Sequence, residues 1–142
     1  MNKCTTHPVP HDDPWVDVLR GYVTKAVDNL TAGGLAVERS WLDPRDPRDA
    51  TIIFTHPASN VSAGQLAVVW DEIAGWRRGT FESGQPGVRT VLSGTTYLGG
   101  GLLLEDTEFV GRVLTAVGEQ RREYRTAGDL RDGLDSALLA HN

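Results

Sequence analysis

Between residues 35 and 98 the chain reads as a run of short strand-like segments with only turns and loops between them. "LAVERSWL" (35–42) alternates, with Leu35, Val37, Arg39 and Trp41 on one side and Ala36, Glu38, Ser40 and Leu42 on the other. "TIIFT" (51–55) is rich in β-branched residues, and "QLAVVWDE" (65–72) is apolar on both faces, as a central strand is. "WRRGTFE" (76–82) follows after the short "IAG" connection, and "VRTVLSGTTYL" (88–98) follows the tight turn "SGQPG". Gly94 sits inside the last segment and predicts a bulge or bend. Parallel strands need a crossover of about a dozen residues or more, so connections this short impose antiparallel pairing.

Helical periodicity flanks the run. Asp13 can cap a helix and Pro14 suits its first position, where a missing N–H costs nothing. Trp15, Leu19, Tyr22, Val23, Ala26, Val27 and Leu30 then form one apolar stripe, ended by Gly33 and Gly34. After the strands, Phe109, Val110, Val113, Leu114 and Val117 form a second stripe, with Asp106 as the expected N-cap. A short terminal helix would use Leu130, Leu134, Ala137 and Leu138. Strands in a run with helices outside it define an α+β class: an antiparallel sheet of about five strands, with an N-terminal and a C-terminal helix on one face. The expected division is a flexible lead-in over residues 1–13, one domain over 14–125, and a helix or tail over 126–142.

Composition narrows the function. A chain of 142 residues with net charge −5 fits one soluble domain and disfavours a nucleic-acid partner, whose phosphates call for clustered Lys and Arg. No apolar run approaches the roughly 20 residues of a membrane helix, and the N-terminus lacks the apolar stretch of a secretory signal. The single cysteine, Cys4, points to a reducing compartment, the cytoplasm.

The candidate sites each meet a structural counter-reading. "YLGGGLLLED" (97–106) places Gly99, Gly100 and Gly101 ahead of a helix, where backbone N–H groups can cradle phosphate. No Lys or Arg follows, and Glu105, Asp106 and Glu108 crowd the helix start, so a strand-to-helix turn with positive φ is expected instead. Cys4, His7 and His11 hold too few strong ligands for a structural zinc site, and no cofactor is expected. Asp43, Asp46 and Asp49 alternate with Arg45 and Arg48, which favours self-paired turn charges over calcium. Asp71 and Glu72 are adjacent, so they point to opposite faces of a strand and read as solvated turn acids rather than a glycosidase pair. His56 has no nucleophile pattern around it. With no nucleophile–base–orienter set, an enzyme is not the expected class.

What stands out is an aromatic and cationic surface on the hairpin: Trp41, Trp70, Trp76, Arg77, Arg78 and Tyr97, with Arg89 on the same patch. Trp and Arg are favoured in protein interfaces. The leading expectation is a non-catalytic module that engages a protein partner or a second copy of itself. Glu38, Ser40, Arg77 and Arg89 would lie on the sheet face left open, and segment 129–140 would serve as a docking helix. The alternative is a small-molecule site or enzyme with Trp41, Trp70, Trp76 and Tyr97 lining a pocket between sheet and helices.

The segments "LDPRDPRDATIIF", "VVWDEIAGWRRGTF" and "GVRTVLSGTTYLGGG", with the helix that follows, resemble a small actinobacterial family of unknown function. Its marks are a WDE-x-x-G-W hairpin and a YLGGG turn before the last helix, and the resemblance covers about residues 15–118. It implies a cytoplasmic protein of adaptor or regulatory type and carries over no catalytic residue.

Overall fold

The computed structural model describes residues 7–43, 48–55, 65–85, 88–99, 101–115 and 134–139. The expected architecture is present. Strands β1 (Ala36–Asp43), β2 (Asp49–Thr55), β3 (Leu66–Asp71), β4 (Gly75–Gln85) and β5 (Val88–Tyr97) form one antiparallel sheet in sequence order. Helices α1 (Pro14–Asp17) and α2 (Arg20–Ala32) precede it, and α3 (Asp106–Thr115) and α4 (Leu134–Leu139) follow it.

The first helix begins as expected, with the Asp13 carboxylate accepting from the Trp15 N–H at 2.9 Å and Pro14 next. The single stripe is broken at Val18 and Leu19, however. The Leu19 N–H bonds the Val16 carbonyl three residues back, a tighter turn than an α-helix makes. That turn lets Val16, Val18 and Leu19 all enter the core.

Most of the apolar burial lies between the sheet and the helices. Leu42, Ala50, Ile52, Phe54, Val68, Trp70 and Trp76 face Tyr22, Val23, Val27, Leu30, Phe109 and Val113 in one cluster. Leu134 and Leu138 of α4 join it, so these two leucines are spent within the molecule rather than offered to a partner.

The second face is not open. Trp41, Ile53 and Ala67 form a smaller cluster there, covered by Phe81 and Leu92 of the β4–β5 hairpin. In a flat sheet β2 and β5 would stand about 14 Å apart, three strand spacings. Yet the Thr51 and Thr90 hydroxyls are 2.6 Å apart, and Arg89 lies 3.4 Å from Asp49. The hairpin has curled back over the sheet. Its register shifts between Arg78 and Thr80, between Phe81 and Ser83, and between Ser83 and Gln85. Each bulge adds bend and twist. Gly94, at φ 62°, supplies the first of them, as its place in the sequence suggested.

A further bulge lies in β1. Val37 pairs with Phe54 and Arg39 with Ile53, which leaves Glu38 as the extra residue. Alternation is therefore broken there: Val37 packs with the helix-side core and Trp41 with the second-face cluster. The expectation that both share one side is corrected by this inserted residue, since one extra residue reverses every side chain beyond it.

Candidate functional site

The hairpin "WDEIAGW" and the turn "YLGGG" meet in space. Gly75, at φ 76°, lies so close to the second turn that a Cβ there would sit 3.0 Å from the Gly101 carbonyl. Gly99 and Gly101 adopt φ 72° and 120°, the left-handed conformations expected of a strand-to-helix turn. Gly100 lies outside the described residues. The Leu102 carbonyl accepts from the Trp70 indole N–H at 2.8 Å. The Leu104 N–H and the Trp76 indole N–H both donate to the Tyr22 hydroxyl, at 2.9 and 3.0 Å. Tyr22 meets both tryptophans at ring-centre distances of 6.0 Å, and Phe109 lies 4.6 Å from Trp76. This is an aromatic knot that anchors the turn and α3.

The six residues singled out from the sequence do not form one surface. Trp70 and Trp76 are 0% and 1% exposed on the helix side. Arg78 lies on that side too, donating to the Val113 carbonyl at 3.1 Å. Trp41, Arg77 and Tyr97 are on the second face, where Arg77 and Tyr97 are register partners. Arg77 and Arg78 therefore do not share a patch, because consecutive strand residues face opposite ways. Arg89 does share the second face with Arg77, but Ser40 pairs with Ile52 and is buried on the helix side. The aromatic pocket of the alternative reading is split by the sheet itself.

The expected turn acids are buried. Glu72 takes a forked ion pair from Arg48, at 2.8 and 3.1 Å, and its Oε2 accepts the Arg48 backbone N–H at 2.6 Å. Arg48 also donates to the Trp15 carbonyl and stacks 4.8 Å from the Trp15 ring centre. This pair ties α1 to the β3–β4 turn. Asp71 accepts from the Ile73 and Ala74 N–H groups and from Arg77 at 2.9 Å, so it caps the turn. Within "DPRDPRD" the structure shows partners outside the segment for Arg48 and Asp49: Arg48 serves Glu72 and Asp49 serves Arg89. The expected self-pairing through Arg45 and Asp46 falls outside the described residues, as do all of residues 44–47.

Asp43, Asp49 and Asp71 stand side by side across β1, β2 and β3. Burial, reinforced by the Asp43 charge, pushes the Asp49 carboxyl up to about 7, against the opposing pull of Arg89 and Arg77. Among the described residues no group of three or more His, Cys, Asp and Glu could hold a metal ion. His7 lies 2.6 Å from Asp28, and the His11 ring accepts from the Asp13 N–H. Cys4 and His56 lie outside the described residues.

One open concave surface was not singled out from the sequence. Between α2 and α3 runs a groove of about 400 Å³ lined by Asn29, Ala32, Gly33, Thr107, Val110, Gly111 and Leu114. Leu114 is 41% exposed. At Gly33 the helices approach so closely that a Cβ would fall 2.8 Å from Val110. At Gly111 the opposite holds, with nothing among the described residues within 4 Å of where a Cβ would stand. The available signal was a glycine inside a helical stripe, which costs about 1 kcal/mol against alanine.

No helix among the described residues is long and apolar enough to cross a membrane. Comparison with curated proteins and with solved structures returned no match. A family model does match, over residues 22–116, and this span takes in the sheet, the aromatic knot and the groove. The chain belongs to DUF6292, a family of unknown function.

Proposed function

We propose that this chain is a non-catalytic interaction module of adaptor or regulatory type, acting in the cytoplasm, that docks an apolar helix of a protein partner between α2 and α3. One observation carries the reading: the lining of that groove includes a helix-interior glycine that no contact among the described residues explains. Alanine there would strengthen α3, and it would still fit inside the molecule. An empty Cβ position leaves room for a backbone or side chain from outside. Val110 and Leu114 flank it with apolar surface. A trough between two helices takes the ridge of a third, in the helix-in-groove mode of recognition. The small-molecule alternative loses its support, because Trp70 and Trp76 fill the core and their indole N–H groups are satisfied within it.

A photo-cross-linking amino acid at position 114, in the native cell, tests this. The expected result is one discrete adduct that disappears when Gly111 is changed to Leu. Position 91 serves as control, since Val91 is more exposed than Leu114 but lies on the β4–β5 hairpin. Equal, diffuse labelling from both positions would remove the groove as a docking site.

A further inference from the structure

We propose that a second, smaller cleft, on the helix side of the β4–β5 hairpin, binds a small oxyanion, a carboxylate or a phosphate monoester, with Arg78 as its cation. The cleft measures about 210 Å³ and is lined by Leu66, Arg78, Gly79, Thr80, Gly94 and Thr96. Arg78 and Thr96 are register partners across β4 and β5, and Thr80 follows Arg78 on the same face. The guanidinium and the two threonine hydroxyls are therefore presented together.

Arg78 differs from the other described arginines. Arg20, Arg48, Arg77, Arg89 and Arg112 each pair with a carboxylate, and Arg39 stacks over Trp41. Among the described residues Arg78 has neither partner, although acidic residues outnumber basic ones 19 to 14 in the whole chain. It is partly withdrawn from water, and burial pulls its guanidinium below its usual pKa. A guanidinium does not release its proton at working pH, so the cost of that burial stays with the folded protein until an anion offsets it.

Its one hydrogen bond among the described residues, to the Val113 carbonyl near the end of α3, occupies a single donor of five. That bond suits the negative end of the helix and would be a sufficient role for a surface arginine. It does not account for the cleft. The remaining fork matches the paired oxygens of a carboxylate or phosphate, and hydroxyl donors beside it add charge-assisted hydrogen bonds. Gly94 lines the cleft without a side chain, with nothing among the described residues within 4 Å of its Cβ position. The volume falls below the roughly 300 Å³ at which pockets for drug-sized ligands begin, which favours a small ligand. The site is independent of the α2–α3 groove and stands or falls separately.

Titration calorimetry of the full chain with inorganic phosphate and, separately, with succinate tests the proposal. The expected result is saturable binding of at least one of them, weakened by added salt, and whichever binds identifies the oxyanion class. Thr96→Val should weaken it about tenfold, the usual worth of a hydrogen bond to a charged group, without moving the ligand-free melting temperature. Arg78→Gln should abolish it. Should Arg78→Gln also loosen α3 through loss of the Val113 contact, Thr96→Val alone decides, because it leaves that contact in place. No saturable heat from either anion at roughly 10 mM, well above a millimolar dissociation constant, would overturn the proposal. So would binding that Thr96→Val leaves unchanged.

Discussion

The two faces of the sheet are built by different rules. On the helix side the large aromatics are buried with their polar atoms satisfied: Trp70 donates to Leu102 and Trp76 to Tyr22. On the second face the Trp41 indole N–H is buried with no hydrogen-bond partner among the described residues. Beside it, buried aspartates face one another across three strands, and the cover among the described residues is a bent hairpin. An unmade hydrogen bond of this kind costs about 1–3 kcal/mol. The helix side thus supplies most of the stability, whereas the second face spends some of it. A face so built is where local opening should occur first.

The largest expected effect lies on the helix side, at the pair that ties α1 to the β3–β4 turn. Glu72→Ala leaves the Arg48 guanidinium buried without its forked carboxylate and should cost about 3–5 kcal/mol, measured by denaturant unfolding. Adding Arg48→Met to that variant should recover much of the loss, because two apolar groups need no partner.

Next comes the pH dependence of the second face. Asp49 releases its proton near 3.8 in the unfolded chain and near 7 in the fold. Between those values the folded protein binds the extra proton, so stability falls as pH rises through this window and the loss is complete above about 7. The total is at most about 4 kcal/mol, from about 1.4 kcal/mol per unit. Asp49→Asn should flatten the profile and stabilise the protein at pH 8. A profile identical to wild type would show that the facing groups, Asp43, Asp71, Arg77 and Arg89, already balance its charge.

Phe81→Ala sharpens the contrast at smaller scale. Phe81 is half-buried, so about 2 kcal/mol is expected, below the value for a fully buried Phe. Hydrogen exchange should quicken in β4 and β5 beyond Thr80 while α2 and β2 keep their protection. Uniform loss of protection would mean the two faces unfold as one unit. The smallest effect has the opposite sign. Gly111→Ala should stabilise by up to about 1 kcal/mol, seen as a higher melting temperature, while weakening partner docking. A loss of stability instead would give Gly111 a role inside the molecule.

Strand number and antiparallel sense were legible from "IAG", "SGQPG" and the alternation around them, because connections this short exclude a parallel crossover, whereas the order of the strands across the sheet was decided by the tertiary structure. The glycine turn was legible as well, since acids at a helix start and missing basic residues rule against phosphate. The candidate site was barely legible. Arg48 and Glu72 are 24 residues apart, and no local pattern announces that a turn acid will be buried by an arginine from another turn. Arg77 and Arg78 looked like one patch until their faces were assigned.

The division has a physical basis. Periodicity, turn chemistry and connection length act over a few residues, so they determined the elements, their antiparallel sense and the α+β class, while the strand order was left to the tertiary structure. The inserted Glu38 and the bulges of β4 and β5 act through accumulated bend, which no single position encodes. That bend curled the hairpin over the second face, while the plain alternation of side chains along β3 and β4 split the chosen residues between two sides. Tertiary packing alone decided which polar groups are spent in holding the fold, because their partners come from turns and strands far apart in the chain.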